Sequence, residues 1–413
     1  MLAGLSASPF AAFRVRSFRF QWPADLLTSW AFEMETLILG WYVLTATGSV
    51  LLLTVFGSLQ FLGTLLAPLL GVIADRVGRR TMLCGLRAIY ACLAAVLMGL
   101  GLSDLLTPYH VLAIAVLAGL VRPSDLVMRN SLIGDTIPAN LLMNALSVAR
   151  TTMDSARIAG ALAGAGLFSL LGLGWAYVFV ASFYALSLLL TLGVSGVPLD
   201  QEPAAPATQP VRPSSWADLK DGLRYVRATP QVLATMWLAF LVNLTAYPVS
   251  HGLLPYVAKE IYLVDENGLG HLLAAFSGGA LIGSIALVLR NGARRPARFM
   301  LITVLIWYAL LLVFGQMESK LAGLGLLLLM GAFQSFAMIS MSVTLLSAVP
   351  QRYRARIMGV RMLAVYGLPV GLLASGVVIG WLGYAGTVVL YCAVGIAATA
   401  LVGWRWRQNI WRS

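Results

Sequence analysis

The stretch Gly71-Val72-Ile73-Ala74-Asp75-Arg76-Val77-Gly78-Arg79-Arg80 decides how the rest of the chain is read. It ends one long apolar segment and begins the next. An acid, two glycines and three arginines stand within a few residues of each other, between hydrocarbon-compatible flanks. A bilayer protein places such charge at a water interface, and short loops rich in Lys and Arg stay on the cytoplasmic side.

Working outward, composition agrees. Hydrophobic residues are 60% and charged residues 11% of the 413-residue chain, and the mean hydropathy is +0.86. A soluble domain is about a quarter charged, and a soluble core of this length could not hide so much apolar surface. Only helices and closed barrels satisfy the backbone in lipid. The apolar runs are continuous and about twenty residues or longer, which makes them helices. Twelve spans are expected, with cores at 20–45, 49–74, 81–102, 109–130, 146–170, 174–195, 231–258, 268–290, 298–317, 321–348, 357–380 and 384–404. Residues 1–20 lack the apolar stretch and cleavage site of a signal peptide and read as a cytoplasmic tail or a short interfacial helix.

Lys and Arg set the orientation. One set of connections holds Arg14, Arg16, Arg19, Arg76, Arg79, Arg80, Arg129, Arg150, Arg212, Arg227, Arg290, Arg298, Arg352, Arg356, Arg405 and Arg412; the alternate set holds only Lys259 and Lys320. Both termini are therefore expected in the cytoplasm, which requires an even number of spans. The net charge of +12 is topological. Basic residues divided among separate loops form no nucleic-acid groove. Cys84, Cys92 and Cys392 all lie in predicted spans without a CxxC pair, and read as small apolar filler with no disulfide framework or metal site.

Residues 197–213 are rich in proline and alanine and divide the spans six and six. The expected organisation is a bundle over 1–196, a cytoplasmic linker over 197–230 and a second bundle over 231–413. Within the linker, Ser215 and Asp218 match a capping box. Trp216, Leu219, Leu223 and Val226 share one face of a helix, read as amphipathic and lying on the membrane surface. The turn after span eight, Arg290-Asn291-Gly292-Ala293-Arg294-Arg295, echoes the opening stretch without its acid. Paired six-helix bundles are a common transporter plan.

At this point the chain resembles the major facilitator superfamily. The pattern G-x-x-x-D-R-x-G-R-R, set by Gly71, Asp75, Arg76, Gly78, Arg79 and Arg80, matches that superfamily's signature between spans two and three. Four further stretches resemble bacterial exporters of the enterobactin-exporter and macrolide-efflux type: residues 39–49, 137–145, 222–230 and 354–359. The resemblance implies an all-α membrane protein of about twelve transmembrane helices in two pseudo-symmetric bundles. It departs in span five, where Gly160-Ala161-Leu162-Ala163-Gly164-Ala165 stands in place of the exporters' G-P-x-x-G-G. Small residues there still permit close helix approach, but the proline kink is missing.

Charge inside a membrane is expensive and faces a cavity or a partner, so embedded charges are the candidates for proton coupling and transport. Span one carries Asp25, Glu33 and Glu35. Glu33 and Glu35 lie about 200° apart around a helix and cannot share a face; both could also stand near an aqueous vestibule and only solvate. Arg122 and Asp125 in span four are three apart and can pair. The resemblance matches Arg122 to a span-four arginine that helps couple protons to substrate, although Pro123 beside it should disturb the helix. Arg150, Asp154 and Arg157 can pair along span five, as a gate network or as a static pairing. In the second half, Asn243, Tyr247, Phe333, Gln334 and Met338 are the cavity candidates, and Pro248 and Pro255 should bend span seven. Asp75 is expected to accept from backbone N–H groups at the start of span eleven, where the helix dipole is positive, with Arg76, Arg79 and Arg80 holding it in place.

No Walker loop, catalytic triad or metal-ligand spacing is visible, so neither an enzyme nor a cofactor is expected. The leading expectation is a monomeric secondary transporter of the bacterial cytoplasmic (inner) membrane. It would export an amphipathic small molecule such as a drug or siderophore in exchange for protons, with lipids as its other partners. An importer, a lipid flippase and a non-transporting sensor or scaffold are the alternatives.

Overall fold

The computed structural model describes residues 11–64, 73–74, 77–195, 216–290 and 295–408. Its helices are α1 (Arg16–Thr47), α2 (Val50–Leu59), α3 (Arg79–Leu102), α4 (Pro108–Thr136), α5 (Ala139–Leu192), α6 (Trp216–Ala228), α7 (Pro230–Leu241), α8 (Glu266–Leu289), α9 (Pro296–Phe314), α10 (Lys320–Ala348), α11 (Gln351–Ala364) and α12 (Gly367–Arg405). Among the described residues, eight helical stretches are long and apolar enough to cross a bilayer. Two of them contain a turn, at Gly172 (φ 77°, ψ 175°) and Gly383 (φ 68°, ψ 176°), a backbone conformation essentially reserved for glycine. Each of those two therefore holds two spans. With α1 and the shorter apolar helix that begins at Val50, this is consistent with about twelve spans, and the fold is all-α.

The chain forms two compact units, residues 1–42 with 59–213 and residues 43–58 with 214–413. In the second unit the Ser58 hydroxyl donates to the Pro369 carbonyl at 3.0 Å. The same helix plan recurs inside each unit. In the first, a Cβ on Gly160 would stand 2.8 Å from Glu33 Cβ, and one on Gly164 would stand 2.9 Å from Met34 Cα. In the second, a Cβ on Gly367 would stand 2.6 Å from the Phe240 carbonyl oxygen, and one on Gly371 would collide with that of Leu244. Glycines four residues apart thus seat α5 on α1 and α12 on the helix that starts as α7. This is the close approach anticipated for span five.

Past Leu241 the seventh span widens into π-type turns at Val242–Ala246, Pro248–Gly252 and Val257–Ile261. Pro248 has no N–H to give the Leu244 carbonyl, and Gly371 packs against that same oxygen. The expected bend is thus a local widening. Pro123, by contrast, sits inside an uninterrupted α4.

The linker helix α6 exists, and the described part of its apolar face packs on protein. Leu223 and Val226 pack with Val232, Met236, Leu345, Val349 and Ile357. Helical periodicity identifies an apolar face without saying whether lipid or protein covers it. Ser215 and the side chains of Trp216, Asp218 and Leu219 lie outside the described residues. Of the three cysteines only Cys392 is buried; Cys92 is exposed.

Candidate functional site

The embedded charges of the first unit converge on α1. Asp25, one turn into the apolar part of the helix, pairs with the fully buried Arg87 of α3. Arg87 also donates to Thr191. Arg129 of α4 donates to the Asp25 carbonyl at 3.2 Å and to Ser29 Oγ at 2.9 Å, and its Nε lies 3.7 Å from the Asp25 carboxylate. A small cleft lined by Trp22, Ser29, Asn130, Thr152 and Met153 reaches this cluster. Two arginines thus surround one buried carboxylate, and breaking one partner away would strand a buried charge.

Nearly three turns along α1, Glu35 forms a second cluster. Its Oε2 accepts from Arg122 Nη2 at 2.9 Å and from the Tyr184 hydroxyl at 2.8 Å. The other fork of Arg122 donates to Gln60 Oε1 at 2.7 Å, and the guanidinium lies over the Phe32 ring, 3.5 Å from its centroid. Both partners are nearly enclosed, with side-chain exposures of 14% for Arg122 and 8% for Glu35. Glu33 points the other way, to Arg157 of α5 at 3.8 Å. From there a ladder continues along α5: Arg157 to Asp154 at 3.8 Å and Asp154 to Arg150 at 3.2 Å. Glu33 and Glu35 thus serve different neighbours, as their angular separation requires.

The pairing within α4 differs from expectation. Arg122 and Asp125 do not meet; Asp125 takes Arg129, four residues on, at 2.5 Å, while Arg122 crosses to Glu35 on α1. Spacing on one helix permits a pair, but the packing of neighbouring helices decides which pair forms. Arg87, Gln60 and Tyr184 carry as much of the geometry as the residues singled out beforehand. Arg87 was detectable as a lone charge inside span three, whereas Gln60 and Tyr184 gave no sign of their partners.

Of the opening stretch, Gly71, Asp75 and Arg76 lie outside the described residues, and with them the Asp75 contact to span eleven. Gly78 has φ 89° and starts α3. Arg79 binds Asp135 at 2.5 Å, and Arg80 donates to the Leu192 carbonyl at the end of α5. These two arginines tie the starts and ends of helices together within the first unit.

In the second unit Gln334 donates to the Tyr247 hydroxyl at 2.5 Å, and Tyr247 stands edge-on to Trp307 at 5.3 Å. Asn243 turns back to the Ala239 carbonyl of its own helix. Phe333 stacks edge-on with Phe336 at 5.7 Å, one turn before Met338, whose carbonyl accepts from Ser342. Arg361, also overlooked, donates to Ser342 Oγ at 2.6 Å. Among the described residues no three His, Cys, Asp or Glu side chains gather as a metal site.

The sequence profile of the Major Facilitator Superfamily matches residues 22–371. The chain belongs to the major facilitator superfamily. Within it, the enterobactin exporter EntS of Shigella flexneri is 25% identical over 317 residues, covering 74% of this chain and 70% of the exporter; the exporter of Escherichia coli O1:K1 / APEC matches over the same lengths at the same identity. Solved structures share the fold. A bacterial homologue of the human lysosomal transporter Spinster, in an inward-facing and unoccupied conformation, aligns with a TM-score of 0.69 at 15% identity over 94% of this chain and 93% of its own. The POT family transporter PepTSo aligns with a TM-score of 0.71 at 15% identity over 95% and 98%. Superfamily membership makes this chain a multi-pass membrane transporter.

Proposed function

We propose that the chain exports an amphipathic small molecule, of the drug or siderophore kind, in exchange for protons across a bacterial cytoplasmic membrane. Both termini are cytoplasmic in this reading. Two bundles, 1–196 and 231–413, joined by the linker over 197–230, work by alternating access. The relatives named as enterobactin exporters support the direction and the substrate class. The distribution of arginines supports the orientation.

One observation carries the coupling: Glu35 is a nearly enclosed carboxylate that accepts from Arg122 and from the Tyr184 hydroxyl. Protonating Glu35 removes the charge that holds Arg122, and the freed guanidinium can then answer a polar group on the cargo. Releasing the proton restores the pair and ejects the cargo. Alternating occupancy of one site by a proton and a ligand is what exchange requires. The Tyr247–Gln334 pair and the aromatic and Met side chains around Phe333 and Met338 offer cargo an adaptable, uncharged wall.

Purified protein in liposomes with an acidic lumen tests the reading. Catecholate siderophores and cationic dyes should accumulate in the lumen while protons leave. Flux indifferent to the gradient would reject exchange, and absence of flux for every ligand would favour a scaffold.

A further inference from the structure

Arg227 stands in the last turn of α6, Arg405 ends α12 and Arg407 lies two residues beyond. With Pro230, Leu233 and Trp406 they line one open cleft of about 480 Å³ in the second unit. All three arginines are exposed, and none forms an ion pair with a carboxylate among the described residues. Guanidinium groups gathered in one cleft repel each other, so this array calls for an anion. Its rim is mixed. Leu233 and Trp406 are apolar, and Trp404, 68% exposed, marks the level of a membrane interface. Pro230, the first residue of α7, lines the same cleft, and Thr229 gives that helix end no side-chain cap.

We propose that this cleft binds the phosphodiester head group of an anionic membrane lipid, best of all a head group with two phosphates. Planar guanidinium groups match phosphate oxygens in bidentate pairs, and three of them balance the charge of two phosphates better than that of one. Basic pockets at the ends of transmembrane helices suit such lipids. The cleft lies on the face that the arginine distribution assigns to the cytoplasm, where anionic lipid is available. Bound lipid would bridge α6, the start of α7 and the end of α12, and so hold the linker helix to its bundle.

Delipidated full-length protein, titrated with cardiolipin, phosphatidylcholine or inorganic phosphate, tests this by native mass spectrometry and thermal unfolding. Cardiolipin should bind and raise Tm where phosphatidylcholine does not, and rising salt should weaken it. Each arginine removed should weaken binding about fivefold. R227Q/R405Q/R407Q should therefore lose well over tenfold, while R14Q/R19Q/R290Q, which removes the same charge elsewhere, retains it. Arg407→Gln lies beyond the end of α12, leaves the fold untouched and reads one step of the series. Equal loss in both triple variants, or an equal shift with inorganic phosphate, overturns the assignment.

Discussion

The two units share a helix plan and differ in chemistry. Glycines four residues apart seat α5 on α1 and α12 on the α7 span, and a glycine with positive φ turns the chain at Gly172 and again at Gly383. Yet the first unit sets Asp25, Glu33, Glu35 and Asp125 against Arg87, Arg122, Arg129 and Arg157. The second meets its embedded Arg361 with a hydroxyl and builds its polar contacts from neutral groups, Tyr247 with Gln334 and Thr245 with Tyr308. A repeated scaffold therefore carries a charged half and a neutral half; in the proposed exchange the first would move protons and the second would adapt to cargo.

The contrast can be broken most forcefully at Asp25. Asp25→Leu leaves Arg87 buried without its carboxylate and should cost about 3–5 kcal/mol, measured as lost thermal stability in detergent; adding Arg87→Met should recover most of it. The shared scaffold predicts equal sensitivity instead. Gly164→Val and Gly371→Val should each destabilise by about 1–3 kcal/mol, and a large difference between them would deny the common plan. Gln334→Leu removes a neutral partner and should cost about 1 kcal/mol; cargo affinity should shift while gradient-driven flux continues. The smallest effect is at Asp265, which caps α8 by accepting from the Gly268 N–H at 2.9 Å. That N–H holds the carboxyl below its ordinary 3.8. The folded group takes up its proton less readily than the unfolded one, so its contribution is present above the unfolded pKa. It fades as pH falls through the folded value. Asp265→Ala should lose up to about 1 kcal/mol at neutral pH and match the parent in strong acid.

Spans and charge positions were legible in the sequence because hydrocarbon tolerates so few alternatives. Partners were less so. The three-residue spacing of Arg122 and Asp125 was a sound basis for a pair, but α1 offered Glu35 to one and α4 itself offered Arg129 to the other. Arg87 and Arg361 each stood alone in an apolar run, and each required a partner that spacing cannot name. Tyr184 and Gln60 were indistinguishable from packing until the helices were placed. The face of α6 was correctly apolar, and its Leu223 and Val226 pack with Val232, Met236 and Leu345, neighbours that periodicity cannot name. Gly172 and Gly383 were single glycines among forty, and only their φ values reveal the repeat.

Glu35→Gln tests the central claim most directly. Glutamine still accepts from Tyr184 and Arg122 but cannot carry a proton. In liposomes, exchange of labelled for unlabelled cargo should persist, while accumulation driven by a pH gradient falls at least tenfold. Gradient-driven accumulation at the parent rate would contradict the account.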